Sequence, residues 1–98
     1  MKFGLTDRQY QYIQETVVDP LKNQGAAVWI FGSRARGEHQ KFSDLDLMVS
    51  SDNDISAHIS KIQELLEEEN FPFKVDIVES KNFAESYRKN FDRDKMQL

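Results

Sequence analysis

Two short apolar runs, each broken by residues that a buried strand does not carry without a reason, constrain this chain more than any other feature. The first, Ala26-Ala27-Val28-Trp29-Ile30-Phe31, reads as a buried strand and stops at Gly32-Ser33. The chain must turn sharply off a sheet there. Glycine permits the tight backbone and a close approach by a ligand. Ser33 can open a helix whose N–H groups point at an anion. After ten intervening residues, Asp44-Leu45-Asp46 leads into the second run, Leu45-Asp46-Leu47-Met48-Val49.

Strand periodicity puts Asp44 and Asp46 on one face, about 6.6 Å apart at Cα, with Leu45, Leu47 and Val49 on the other. A strand-leading turn would account for Asp44 as a cap, but not for Asp46, which follows a core residue inside an apolar run. A charge there costs several kcal/mol unless it is paired or coordinated. Asp76 interrupts Val75-Asp76-Ile77-Val78 in the same way. If the second and third strands are neighbours, it projects from the face that carries Asp46. Carboxylates converging on a hard cation beside a phosphate-binding turn imply Mg²⁺-assisted chemistry on a nucleoside triphosphate, with Mn²⁺ the alternative ion. Arg34 and Arg36 lie within one turn of Gly32-Ser33, and an arginine fork matches phosphate. Both cannot point the same way from a single helical turn, so one is expected on the nucleotide and the other on the surface or a partner.

Composition narrows the partners. Ninety-eight residues are expected to form one domain, 1–98, with a modest core. A net charge of −4 argues against direct binding to a nucleic-acid backbone. With no cysteine, disulfides, thiolate zinc sites and cysteine nucleophiles are excluded. No apolar run is long enough to span a bilayer, and a soluble, cytoplasmic protein with no membrane association is expected.

The remaining elements are read from caps and periodicity. Thr6 with Gln9 makes a capping box before Tyr10, Ile13, Val17 and Leu21 at helical spacing. Pro20 should bend or interrupt this helix near Asp19, and Gly25 should end it. Strands are expected at about 27–31, 45–50 and 74–79. The turn at 51–54 should cap a helix whose apolar face is Ile55, Ile59, Ile62, Leu65 and Leu66, and Glu67-Glu68-Glu69 at its unfavourable end should fray it or meet a cation. A last helix at about 80–91, with Phe83, Tyr87 and Phe91 in four-residue steps, precedes a polar tail. His39 and Lys41 belong to a polar loop, His58 to a helix surface, and Ser43 is expected to brace the Asp-x-Asp backbone.

Taken together, Gly32-Ser33-Arg34-Ala35-Arg36-Gly37, Ser43-Asp44-Leu45-Asp46-Leu47 and Val75-Asp76-Ile77-Val78 resemble the minimal nucleotidyltransferases of the DNA polymerase β-like superfamily. The nearest likeness is to the small MNT proteins encoded beside HEPN-domain proteins in bacteria and archaea. That resemblance implies an α/β (α+β) fold, a small mixed β-sheet flanked by helices. The α-β-α-β-α-β-α order alone leaves strand direction open. It also implies transfer of AMP from ATP to a hydroxyl with release of pyrophosphate. Asp44, Asp46 and Asp76 would be the catalytic and metal-holding carboxylates, with Asp76 serving the ion nearer the attacking hydroxyl. Gly32, Ser33 and the arginines Arg34 and Arg36 would serve the nucleotide. The acceptor it implies is a tyrosine of a HEPN-domain toxin, which modification would neutralise. Small size points the same way, since a half-site of this length lacks a lobe to enclose an acceptor. Two other readings compete. One is a non-catalytic antitoxin or adaptor that binds its partner and nucleotide, against which three clustered carboxylates count. The other is a small-molecule nucleotidyltransferase, whose known examples usually carry a second domain.

Overall fold

The computed structural model describes residues 3–38, 40, 42–82 and 85–98. Thr6 opens helix α1 (Asp7–Ile13) through a reciprocal capping box. Its hydroxyl accepts from the Gln9 N–H at 3.0 Å, and the Gln9 side chain accepts from the Thr6 N–H at 2.9 Å. Pro20 does not interrupt the helical path. The helix widens into a π turn (Gln14–Val18) and continues as α2 (Asp19–Asn23). Proline lacks an N–H and its ring crowds the carbonyl four residues back. The wider turn, in which the Asp19 N–H reaches Gln14 O, lets the axis pass without a break. Gly25, at φ +83°, then stops the helix in a Schellman motif, with Gly25 N–H on Lys22 O and Ala26 N–H on Leu21 O.

Among the described residues, four strands form one sheet in the order β3-β2-β1-β4. Strand β1 (Ala27–Phe31) runs antiparallel to β2 (Leu45–Ser50), and β2 runs parallel to β3 (Val75–Glu79), so the sheet is mixed. Alternation splits its side chains cleanly. Val28, Ile30, Leu45, Leu47, Val49 and Val75 are buried on one face. There they form a single core with Ile13, Val17, Val18 and Leu21 from the N-terminal helices and Ile55, Ile62 and Leu66 from α4 (Ser56–Glu68) and its cap. Each fully buried aliphatic side chain contributes about 1.5–3 kcal/mol by leaving water. The opposite face carries Trp29, Phe31, Asp46, Met48, Asp76 and Val78. Helix α5 (Glu85–Asp94) covers part of it with Phe91, whose ring meets Trp29 and Phe31 edge-on at 6.4 and 5.5 Å.

Three local details go beyond the sequence pattern. The acidic end of α4 is closed by backbone hydrogen bonds. Asn70 takes the left-handed conformation (φ +53°), and the N–H groups of Asn70 and Phe71 close on Glu67 O and Leu66 O. The last helix starts later than its apolar spacing suggests, after a 3-10 turn (Ser80–Asn82), and runs to Asp94. The polar tail adds a strand, since β4 (Met96–Gln97) pairs antiparallel with Trp29 and Ile30 of β1. Two residues are too few to show a period, and the pairing is made by backbone. The N-cap of α4 is Ile55, one residue past the turn at 51–54, and the Asp54 carboxylate before it accepts from the Ser56 N–H at 3.1 Å. His39, Lys41 and Phe83 lie outside the described residues, as does the side chain of Tyr87. Among the described residues, no helix is long and apolar enough to cross a membrane.

Candidate active site

Where β1 ends, Gly32 takes φ +81° and ψ −161°, a conformation that an L side chain rarely adopts. A side chain there would also crowd the Asp46 carboxylate. A Cβ on Gly32 would stand 2.5 Å from Asp46 Oδ2 and 3.3 Å from its Cγ. The turn is therefore built flush against the carboxylate. Sheet register explains the proximity, since Phe31 lies opposite Asp46 and Asp46 opposite Asp76. Directly paired residues share a face, so Asp46 and Asp76 stand side by side next to the turn. Asp44 is exposed at the entry to β2.

Crowding marks Asp46 electrostatically. Its carboxyl is pushed up to about 6, first by burial and then by the negative charges of Asp76 and Asp44. Lys74 and Arg36 pull it the other way. Among the described residues, no three carboxylate or imidazole side chains converge as a ready-made metal cage. The donor set nevertheless fits Mg²⁺ in kind, since it offers hard oxygens and negative charge that Lys74 and Arg36 offset only in part.

Beyond the turn, Ser33 heads the four-residue helix α3 (Ser33–Arg36), which Gly37 ends at φ +77°. The two arginines of α3 part company as a single turn requires, but Arg34 goes neither to the nucleotide side nor to the surface. It is 1% exposed. Its Nε donates to Ser43 O at 3.0 Å, its Nη1 to Phe3 O at 2.9 Å, and its guanidinium stacks 4.0 Å from the centre of the Phe73 ring. The expected nucleotide contact at Arg34 is thereby replaced by a brace between α3, the N-terminal segment and the residue before Asp44. Ser43 completes the brace, its hydroxyl accepting from the Gln40 N–H at 2.8 Å.

Arg36 remains at the surface beside the site. Its Nε donates to Glu38 at 3.0 Å and its Nη1 to Asp94 at 2.7 Å. Asp94, with Arg93 donating to it at 2.8 and 3.3 Å, is a residue of the site region that sequence reasoning misses. Nothing in the pattern around it marks an acid that helix α5 buries against α3, 58 residues away in the chain.

Residues 12–98 match the model of the nucleotidyltransferase domain, and the chain belongs to that family. A Haemophilus influenzae protein named "Probable protein adenylyltransferase MntA" is 36% identical over 63 residues, which are 62% of this chain and 54% of that relative. The chain thus aligns with about half of the relative's length. A solved structure described as a minimal nucleotidyltransferase superposes with a TM-score of 0.70 at 29% identity, covering 100% of this chain and 97% of the other. A crystallised toxin–antitoxin with AMP-PNP matches in fold, with a TM-score of 0.64 at 16% identity over 86% of this chain and 70% of the other. The mixed sheet flanked by helices is accordingly that of the minimal nucleotidyltransferases.

Proposed function

We propose that this chain is a Mg²⁺-dependent adenylyltransferase of a toxin–antitoxin pair, which moves AMP from ATP onto a hydroxyl of its protein partner. The acceptor is a tyrosine of a HEPN-domain toxin. One observation carries the reading: the register that sets Asp46 beside Asp76, with Gly32 packed against the Asp46 carboxylate. The name of the Haemophilus influenzae relative and the AMP-PNP of the toxin–antitoxin structure support it.

In this reading the Gly32-Ser33 turn receives the outer phosphates, with the Ser33 hydroxyl and Arg36 as polar contacts. Asp44, Asp46 and Asp76 would hold the divalent ions, which would supply neutralisation of the charge that develops in the transfer. The acceptor oxygen attacks the α-phosphorus, and the bond from that phosphorus to the oxygen bridging to the β-phosphate breaks. Pyrophosphate departs and AMP remains on the acceptor. Asp76 takes the hydroxyl proton. It stands on β3, an edge strand of the sheet, where a partner can approach.

The test is pyrophosphate release by the purified pair with ATP and Mg²⁺, together with mass spectrometry of the partner. An adenylylated tyrosine, lost in EDTA, is the expected result. Partner neutralisation without any transfer would leave the non-catalytic antitoxin standing. Transfer to a small molecule alone would favour the third reading.

A further inference from the structure

Asp94 is a carboxylate with a 2% exposed side chain, held between two arginines at the last residue of α5. Of these, Arg93 is 61% exposed and Arg36 is 29% exposed. Arg36 is tied to the phosphate turn by its own backbone, whose N–H donates to Gly32 O at 3.1 Å. A notch of about 470 Å³ opens beside the pair, lined by Arg36, Glu38, Arg93 and Asp94. Helix α5 is fixed independently of this contact, because Phe91 lies 2% exposed against Trp29 and Phe31 of β1. A buried acid on a seated helix thus grips one corner of a guanidinium that otherwise faces an open notch.

We infer that Asp94 is a positioning residue for the nucleotide, holding the Arg36 fork so that its remaining N–H groups meet the polyphosphate. This rests on the adenylyltransferase reading of the Gly32-Ser33 turn. The two acids that Arg36 touches differ in what they can do. Glu38 is a 70% exposed partner two residues away, and a phosphate can displace it at little cost. Asp94 is covered, fixed by its helix and shared with Arg93, so its bond to Nη1 persists when a ligand arrives. An arginine held at Nη1 keeps Nη2 and Nε for a phosphate, and less side-chain freedom is lost on binding.

Direct titration with a fluorescent ATP analogue and Mg²⁺ tests this without need of an acceptor. Asp94→Asn should weaken nucleotide affinity about tenfold, the loss expected of a charge-assisted bond made neutral. Arg36→Ala should weaken it at least as far, and the double variant no further than Arg36→Ala alone. In turnover, the Asp94→Asn loss should fall on the KM for ATP and spare kcat. Wild-type or tighter affinity in Asp94→Asn, with Arg36→Ala impaired, overturns the inference and leaves the adenylyltransferase reading intact. Undiminished affinity in Arg36→Ala removes the arginine from the nucleotide, and the anchor with it. Absence of nucleotide binding by the wild type strikes the reading itself. Should Asp94→Asn melt below the assay temperature, Arg36→Lys makes the same test, since it keeps the charge and gives up the planar fork. Full affinity in that variant also overturns the inference.

Discussion

Asp46 and Asp94 are both carboxylates drawn away from water, and the fold treats them in opposite ways. Asp94 is held between Arg36 and Arg93, and those hydrogen bonds keep its carboxyl below the usual carboxylate range. Asp46 has acids for neighbours, and its carboxyl is pushed up to about 6. Asp94 therefore ties α5 to α3, whereas Asp46 is left among acids that Lys74 and Arg36 offset only in part. A fold retains such a carboxylate when something else is to neutralise it.

The sharpest way to break this contrast is to remove the crowded acid. Asp46→Ala should lower transfer by about a thousandfold or more, the scale of losing a principal electrostatic group in an active site, and the protein should stay folded. Asp44→Ala should have the same effect. Pyrophosphate release with Mg²⁺ measures both, and near wild-type rates in either variant would mean that the carboxylates do not serve the reaction.

Gly32→Ala attacks the same corner from the turn. The new Cβ would stand 2.5 Å from Asp46 Oδ2 at a backbone φ of +81°. Either the turn or the carboxylate must move. A loss of about a hundredfold in transfer is expected from displacement alone, on the scale of misplacement by an ångström, together with about 1–3 kcal/mol of stability. A fully active Gly32→Ala would show that the flush packing of turn on carboxylate is incidental.

The arginines extend the comparison. Arg34→Ala strands two carbonyls, Phe3 O and Ser43 O, and uncovers the Phe73 ring. A stability loss of about 3 kcal/mol is expected in chemical denaturation. At temperatures where the variant remains folded, nucleotide affinity should change far less than in Arg36→Ala. If Arg34→Ala instead melts like the wild type but binds nucleotide poorly, the brace assignment fails.

The range of each interaction decides whether the sequence discloses it. The strands are legible because Val28, Ile30, Leu47 and Val49 alternate against a sheet face. Asp46 and Asp76 stand out because a charge inside such a run demands a reason. The capping box at Thr6 and the stop at Gly25 are local chemistry and are equally plain. Arg34 is misjudged from sequence because its partners are the carbonyls of Phe3 and Ser43, backbone atoms that no pattern announces. Asp94 is missed for a related reason, since an acid near a polar tail looks solvated until the fold brings Arg36 to it. The π turn at Gln14–Val18 belongs with these, being a geometric accommodation of Pro20 rather than a property of the residues that form it.

The smallest effect tests the contrast most directly. A carboxyl titrating near 6 when folded, against about 3.8 when exposed, binds more protons in the folded state between those values. Stability then falls as pH rises through that window, and above it the metal-free protein carries the whole destabilisation. Asp94 runs the other way: its lowered value adds stability above the ordinary carboxylate range and loses it on acidification. Asp46→Asn keeps the shape, removes the repulsion and leaves Asp94 untouched, so the difference between variant and wild type isolates Asp46. In EDTA at pH 8 the variant should melt at or above the wild type, by up to about 1–2 kcal/mol after allowance for partial exposure. Below pH 4 the two should converge. With Mg²⁺ or Mn²⁺ and nucleotide the order should reverse, because a ligand at a hundredfold excess over its dissociation constant adds about 2.7 kcal/mol to the protein that binds it. Thermal melts at the two pH values, with and without metal, give all the required comparisons. A variant clearly less stable than wild type in EDTA at pH 8 would make Asp46 a hydrogen-bonded structural acid like Asp94, and the distinction between the two carboxylates would disappear.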